Sequence, residues 1–504
     1  MCNIDGMRKP TNTSGPPRHA VEIVLAVEPK AAGQWFRERA ETARDAEGGA
    51  AARSIGRAIV DVLEHLPGIE IAAADEREAR TQCESLPSHP LAFRWQTSDS
   101  RSVAIEFVDA LAIESAEEPG AAPSEAAPPT DASLFCELRL SCNVDDDASA
   151  IDAGADSVSA EDADAARLSA TRAVFAAARM LLDHLPAFPE STETSAAGAC
   201  NAKPRQPVRA SRVDLAGART PHEALIAIAT NIAHQWFGNE RGVRESSEIE
   251  FVHQMRVSLR RAKTLVKTFP SWVDDGWRTN VEPGLQWVGA MLGEARDFDV
   301  LVDSTLPALA TADADPSAWS GIIAAADARR LEARARLQQA MRSRRYAQLS
   351  LAWLEWLANQ HFSSGPPKHA GRALREYAAK RARRHYKRLT AEPPLASLDA
   401  AGRHRRRIEA KRLRYTLEFF EPLVAPRRRR KIARQVSRIQ SVLGDANDAA
   451  AALRFLEEEH LDVSDYQRGF ARGWCEAATR AAAHEADRLR AKLPKPKIER
   501  EVAP

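Results

Sequence analysis

The chain has 504 residues, 44% hydrophobic and 28% charged, which is enough for about three domains and too apolar for a wholly disordered protein. Its formal net charge is +1, yet residues 1–200 carry 17 basic and 34 acidic side chains, while residues 201–504 carry the other 54 basic and 36 acidic ones. Six cysteines without a C-x-x-C pair exclude a zinc ribbon, and the absence of a signal peptide or an 18-residue apolar run argues against secretion and a membrane span.

The first part of the chain predicts an α+β domain at residues 19–186, after a disordered tail at 1–18. Strands are expected at 21–27, 92–96, 102–108 and 134–142, where β-branched and aromatic residues alternate with polar ones. Helical spacing covers residues 30–66 and 165–185, and low-complexity loops are expected near 114–131 and 144–164. Together these elements predict a modest antiparallel sheet with helices.

Residues 187–212 lack periodicity and predict an interdomain linker. From there to about residue 492 the apolar residues recur at helical spacing, which predicts an all-α domain of helical bundles at 213–492. Residues 493–504 are expected to form a second disordered tail. The thiol pattern and the absence of export signals predict a cytoplasmic protein.

An internal repeat is the most informative feature of the helical half. The segment from His253 (HQMRVSLRRAK) aligns with the segment from His404 (HRRRIEAKRLR), and the same offset aligns LGEARD from Leu292 with LGDAND from Leu443. It also aligns His234 with His385. The matched cations are Arg256 with Arg407, Arg260 with Lys411, Arg261 with Arg412 and Lys263 with Arg414. We therefore predict a duplicated unit, at about 221–370 and 371–490, related by a pseudo-two-fold axis.

The repeated segments place histidine, arginine and lysine along one stripe of a helix, because residues three and four apart are neighbours on its surface. Like charges on such a stripe repel one another, so an anion or a set of nearby acids is expected to offset them. Four acids are candidates for structural pairing with these cations: Glu294, Asp297, Asp445 and Asp448. A solvated basic face is the alternative interpretation, and His234 and His385 alone are more typical of packed or surface histidines.

The runs from Val252 (VHQMRVSLRRAK), Leu292 (LGEARDFDVL), His404 (HRRRIEAKRLRYTLEFF) and Leu443 (LGDANDAA) closely resemble the CHAD family of helical domains. The resemblance implies two four-helix bundles around a basic surface, binding of inorganic polyphosphate, and association with polyphosphate granules. The phosphate contacts that it implies are His253, Arg256, Arg260 and Arg261, with His404, Arg407, Lys411, Arg412 and Arg414. The repeat adds Lys263, His234 and His385 to the predicted site, for which no catalytic residue, metal ligand or cofactor is expected.

The first domain more weakly resembles the CYTH family, whose members form a triphosphate tunnel. Where functional members begin with a Glu-x-Glu-x-Lys strand, this chain has Glu22, Val24 and Ala26, and the later strands keep Glu106 and Glu137 but carry Arg139. Because metal-assisted hydrolysis of a triphosphate needs several carboxylates, we predict a degenerate tunnel without that activity. A Mg²⁺- or Mn²⁺-dependent triphosphatase remains an alternative, as does nucleic-acid binding by the helical half, although aromatic stacking residues are sparse there. The sequence gives no indication of the oligomeric state.

Overall fold

The computed structural model describes residues 20–27, 59, 62–63, 65–66, 68–71, 91–98, 101–109, 136–144, 160–190, 206–363, 365–366, 371–458 and 461–498. The chain divides into two compact units. The first comprises Met1–Gln206 with Met341–Ser363, and the second comprises Pro207–Ala340 with Ser364–Pro504. The predicted tail at 1–18, the loop at 114–131 and most of the helical region at 30–66 lie outside the described residues.

The first unit contains an antiparallel sheet of six strands in the order β2-β3-β4-β5-β1-β6. The strands are β1 (Ala20–Val27), β2 (Ile69–Ile71), β3 (Leu91–Gln96), β4 (Ser102–Asp109), β5 (Cys136–Asn143) and β6 (Ala187–Glu190). Four of them were predicted to within two residues at each end. The two shortest, β2 and β6, were missed, because three or four residues are too few to show an alternating pattern.

Helix α1 (Ala160–His184) packs against the central strands of this sheet. In β1, Ile23 and Leu25 pair with Leu140 and Leu138 of β5, and all four are buried. Phe175 of α1 is fully buried as well. The alternation of apolar residues along the strands therefore produces the core that the sequence predicted.

Two segments of the first unit differ from the predicted domain organisation. Residues 187–190 were assigned to a linker but form β6, which pairs with β1 and buries Phe188. Helix α7 (Arg344–His361) was assigned to the first helical repeat but packs against α1 and β6. An ion pair of 2.5 Å between Arg179 and Glu355 joins α1 to α7. The aromatic face of α7 includes Trp353 and Trp356, and both side chains are buried. Helix α7 is therefore a packed helix of the first unit.

The described residues of the second unit form helices joined by turns and loops, without a β-sheet. Its helices are α2 (Pro221–Glu245), α3 (Ile249–Thr268), α4 (Glu282–Val300), α5 (Leu306–Ala312), α6 (Ser320–Met341), α8 (Leu374–Leu389), α9 (Ala400–Phe419), α10 (Pro426–Leu456) and α11 (Asp465–Ala491). The first begins with a capping box, in which Thr220 and Glu223 satisfy each other's backbone N–H groups. Among the described helices none combines the length and the apolar composition that a membrane span requires.

The helix bounds follow the repeat that the sequence shows. Helix α3 spans 249–268 and α9 spans 400–419, so both ends differ by the offset that aligns His253 with His404. The short 3₁₀ turns that follow them, Pro270–Trp272 and Glu421–Leu423, differ by the same offset. At this offset a counterpart of α7 would begin near residue 495, and the described residues 493–498 are not helical. The duplication therefore concerns the helices around α3 and α9.

The chain beyond α11 is more ordered than its composition suggests. Leu493 is buried in the core formed by α8 to α11, and Ile498 packs against the same core. Ile498 forms an antiparallel bridge with Val424, and the Ala425 N–H donates to the carbonyl of Lys497. Residues 493–498 are thus not part of the disordered tail predicted at 493–504, because two apolar side chains hold them to the bundle. Residues 499–504 lie outside the described residues.

Candidate functional site

Helices α3 and α9 pack against each other and carry the two basic stripes. Each helix buries one side: Met255, Leu259 and Leu265 of α3 and Leu413 of α9 are nearly inaccessible. The opposite side of each helix therefore carries the charged residues, as the 3.6-residue period dictates. The structure brings the two stripes together in one place within the second unit.

Four residues form the centre of this arrangement, and we call them the cation cluster: Arg256, Arg260, Arg407 and Lys411. Burial and then the charges of Arg260, Arg407 and Arg256 lower the pKa of Lys411 to about 6. Burial likewise lowers the pKa of Arg260 and of Arg407, with further lowering from neighbouring arginines of the cluster. Since arginine keeps its proton at any ordinary pH, the cluster concentrates positive charge where water is partly excluded.

Hydrogen-bond donors in the cluster remain without partners. Nη2 of Arg260 and Nε of Arg407 are buried, and neither has a hydrogen-bond acceptor among the described residues. Arg407 donates from Nη1 to Oδ1 of Asn447 at 2.8 Å. A buried donor left unsatisfied costs about 1–3 kcal/mol, so the fold bears a penalty that an anion between these two guanidinium groups would remove.

Carboxylates neutralise only part of the cluster. Arg256 forms an ion pair of 3.0 Å with Asp297, while Glu294 pairs instead with Arg336 at 2.7 Å. Asp448 lies close enough for Arg407 to affect its pKa, which burial raises, and burial also raises the pKa of Asp445. In the part of the chain that the structure describes, no carboxylate oxygen lies within 4.0 Å of a nitrogen of Arg260, Arg407 or Lys411.

A groove of about 460 Å³ lies beside the cation cluster. Helices α3 and α9 form two of its walls, and α4 with the turn before it forms the third. Its lining residues are Arg260, Lys263, Thr264, Val266, Lys267, Trp277, Glu282, Leu285, Gln286, Ile408, Lys411, Arg412 and Tyr415. The third wall was missed because the composition of α4 is ordinary, and only the fold places it opposite the stripes.

The ring of Tyr415 holds two of the arginines in place. The guanidinium carbon of Arg260 lies 5.9 Å from the ring centroid, and that of Arg414 lies 5.7 Å from it. Tyr415 is buried, as the sequence allowed, and Arg414 also donates to Gln440. Such cation–π contacts orient a guanidinium group without using its hydrogen-bond donors, which stay available for an anion.

The two histidines at the heads of the stripes differ in exposure. His253 is half-buried, and burial followed by the charge of Arg296 lowers its pKa. His404 is exposed, yet burial of part of its ring and the charges of Arg407 and Lys411 also lower its pKa. Both are therefore mainly neutral at pH 7 and gain a proton more readily once an anion is bound beside them.

Arg261 does not reach the surface. Its side chain is fully buried, and it donates to Gln235 at 2.8 Å and to Asn231 at 2.6 Å while its Nε lies 2.9 Å from Glu418. The predicted stripe included Arg261 because it follows Arg260, but one residue along a helix turns the side chain by about 100°. Arg261 therefore joins α2, α3 and α9 and is not available to a ligand.

The remaining predicted residues lie in different surroundings. His385 is buried with its Nδ1 2.7 Å from Glu409, and Arg412 donates to the same carboxylate at 2.8 Å while also lining the groove. His234 lies exposed on α2 and Lys263 lies exposed on the groove wall. His385 is thus part of a buried ion-pair network, which is the structural interpretation of that histidine.

The acids of the sheet share one face. The strand register places Glu22 opposite Ser141 and Glu106 opposite Arg139, while Glu137 lies 3.5 Å from Arg139. Residues directly opposite in an antiparallel pair point to the same side. Among the described residues no group of three His, Cys, Asp or Glu side chains is placed to hold a metal ion.

Comparison with known proteins gives a family match for the helical part. Residues 227–457 match the family model described as the CHAD domain. The solved structure of the CHAD domain from the plant Ricinus communis is 28% identical, with a TM-score of 0.51, over 59% of this chain and 100% of that one. PptA from Streptomyces chartreusis is 20% identical, with a TM-score of 0.42, over 55% of this chain and 99% of that one. No curated protein matches the chain.

Proposed function

Residues 227–457 of this chain are a CHAD domain, and from that premise we propose that the groove beside the cation cluster binds inorganic polyphosphate. The proposal includes the pseudo-two-fold relation of the two helical repeats, with one cationic helix from each facing the chain of phosphates. It extends to association with polyphosphate granules inside the cell. The sheet of the first unit is proposed to be a degenerate triphosphate-tunnel domain that does not release phosphate from triphosphate in the presence of Mg²⁺ or Mn²⁺.

Polyphosphate suits the groove because it is a linear chain that carries about one negative charge for each phosphate and no bases. Arginine matches two phosphate oxygens with its planar fork, and lysine supplies a compact charge. The groove offers both kinds of side chain along two helices rather than at one point. A ligand with charges at regular intervals satisfies all of them together.

The observation that carries the proposal is the pair of unsatisfied buried donors, on Arg260 and Arg407. One comes from each repeat, and Lys411 lies close enough to both for their charges to lower its pKa. A purely structural cluster would be expected to pair these cations with acids, as Arg261 pairs with Glu418 at 2.9 Å. A phosphate chain between α3 and α9 would accept from both arginines and offset the positive charge around Lys411.

Nucleic acid is the competing ligand, since its phosphates would also fit a cationic groove. Single strands are usually held by exposed aromatic side chains on which bases stack. The aromatic residues that line the groove, Trp277 and Tyr415, are both buried. The exposed Tyr466 donates to Asp313 at the start of α11 and does not line the groove. The groove therefore favours a polyanion without bases.

The test is a titration of the full-length protein with polyphosphate, comparing the parent with the double variant Arg260→Gln, Lys411→Gln. Loss of two charged contacts is expected to weaken binding about 100-fold or more. The matched control is Arg472→Gln, Arg488→Gln, which removes two exposed arginines that pair with acids and do not line the groove. The control should stay within about threefold of the parent, because screening weakens distant charges.

Two results would contradict the proposal. One is equal affinity of the parent and the groove variant for polyphosphate, which would place the ligand elsewhere. The other is a preference for single-stranded DNA over polyphosphate of equal charge at the same salt concentration, which would make the groove a nucleic-acid site. Circular dichroism of each variant shows whether the bundle is intact.

A further inference from the structure

Three lysine amines line the groove, and they differ in their surroundings. Lys263 and Lys267 are exposed on α3, whereas Lys411 of α9 is half-buried among the guanidinium groups of the cluster. Lys411 lies one helical turn after Arg407 and therefore on the same face of α9. Among the described residues it forms no ion pair.

Donors suited to a single phosphate group lie on the groove wall, at Arg260, and in the adjoining cation cluster, at Arg407. Nη2 of Arg260 and Nε of Arg407 are buried and without acceptors, and Arg260 shares the groove wall with Lys411. A small phosphate ester or anhydride bound to these donors would have the rest of the molecule beside the amine. Holding two reactants in this way raises the rate of their reaction, since it replaces a chance encounter by a fixed one.

We infer that Lys411 is an acylation site, modified without an enzyme by acyl phosphates whose phosphate group the two arginines hold. The neutral amine attacks the carbonyl carbon, and a C–N bond forms. The bond between that carbon and the bridging oxygen breaks, and inorganic phosphate departs with the electron pair. The surplus proton of the amine passes to the departing phosphate or to water.

The protonation state of Lys411 agrees with this chemistry. Its pKa of about 6 means that the amine is mostly neutral at pH 7.5, whereas an ordinary lysine has about one neutral amine in a thousand there. Nucleophilicity falls with basicity, as it does for thiols, and offsets much of this gain. The expected advantage of Lys411 over an ordinary lysine is about tenfold from these two effects together.

The modification would also change the charge of the groove, because an amide nitrogen is not protonated. This consequence rests on the proposed function: an acylated Lys411 is expected to weaken polyphosphate binding. The acylation itself depends only on the groove and its donors. The two claims can therefore fail separately.

The experiment treats the full-length protein with acetyl phosphate at pH 7.5 and measures acetylation of Lys411 and Lys267 by peptide mass spectrometry. Lys411 is expected to react about tenfold faster or more. Excess inorganic phosphate should slow the reaction at Lys411 and leave Lys267 unchanged. With an acetylating reagent that has no phosphate, the advantage of Lys411 should shrink. Equal rates at the two lysines, or no effect of inorganic phosphate, would overturn the inference.

Two variants distinguish binding of the phosphate group by the arginines from the reactivity of the Lys411 amine. Arg407→Gln should slow acetylation of Lys411 by acetyl phosphate more than by the reagent without phosphate, and equal slowing by both would contradict anchoring. Lys411→Arg removes the amine, so it should show no acetylation at this position. Polyphosphate binding without selective acetylation would remove this inference alone, and selective acetylation without polyphosphate binding would remove the proposed function alone.

Discussion

At the scale of residues, two adjacent arginines of α3 have opposite roles. Arg261 is buried and hydrogen-bonded to Gln235 and Asn231, whereas Arg260 has a buried donor without an acceptor. The sequence could identify the basic run, but it could not separate the two, because both belong to the same repeated motif. Only the packing of α2 and α9 against α3 decides which arginine turns inward.

Substitutions of Arg261 and of Arg260 should therefore change the free energy of unfolding by different amounts. Arg261→Ala should reduce the free energy of unfolding by about 3–5 kcal/mol, since it leaves Glu418 and two amides without their partner in the core. Arg260→Gln should leave the free energy of unfolding nearly unchanged and weaken polyphosphate binding. Chemical denaturation and titration of both variants check this. If Arg261→Ala were as stable as the parent, the structural role of Arg261 would be wrong.

The protonated amine of Lys411 should lower the free energy of unfolding in the absence of a ligand. Its pKa in the folded protein, about 6, lies below the ordinary value of about 10.4, so the unfolded chain binds the proton more tightly between these pH values. The penalty is absent above about pH 10.4, grows as the pH falls towards 6 and is constant below that. Lys411→Met should therefore raise the free energy of unfolding by roughly 1–3 kcal/mol at pH 6, after allowance for contact of the amine with water.

The measurement is thermal or chemical denaturation of the parent and Lys411→Met at pH 6.5 and pH 9.5. The gain in stability should be larger at the lower pH, and polyphosphate binding should be weaker than in the parent at both. A gain that is the same at the two pH values would show that the amine is not held in an unfavourable charged environment.

At the scale of elements, the helices follow from the repeat and from ordinary helical periodicity. The α3 and α9 helices could be placed from the sequence because their apolar residues recur at the right spacing and their motifs align. The third wall of the groove and the true place of α7 could not be, since each depends on contacts between residues far apart in the chain. Short strands such as β6 carry too little pattern to distinguish them from a linker.

The corner between α2 and α3 depends on a close approach at one glycine. A Cβ added to Gly242 would lie 2.1 Å from Cδ1 of Phe251, a ring that is buried in the same corner. Gly242→Ala should therefore lower the free energy of unfolding by about 1–3 kcal/mol, because the ring or the helix must move. The expected loss is a net value, since alanine favours a helix more than glycine does.

Gly473→Ala is the matched control, because that glycine lies in α11 with nothing within 4 Å of the added Cβ. It should stabilise the protein by up to about 1 kcal/mol through helix propensity alone. Denaturant midpoints of both variants give the comparison. Stabilisation by the two substitutions alike would show that α2 and α3 do not pack as described.

At the scale of the whole molecule, the opposite charges of the two parts of the chain were visible in the sequence, and they predict a polyanionic partner for the basic part. The sequence suggested that residues 213–492 form a separate domain. Helix α7, however, packs against α1 in the first unit, so a fragment starting near residue 212 would expose Trp353 and Trp356. Experiments on binding therefore need the full chain.

The most direct measurement is the dependence of polyphosphate affinity on salt concentration for the full-length parent and the variant Arg260→Gln, Lys411→Gln. If about six cations of the cluster and groove contact phosphates, the parent's affinity should fall roughly 300-fold between 50 and 200 mM salt, by analogy with single-stranded nucleic acid. The variant should bind more weakly at both concentrations and show a shallower dependence on salt. A parent affinity that does not change with salt, or the same slope in both proteins, would contradict the account.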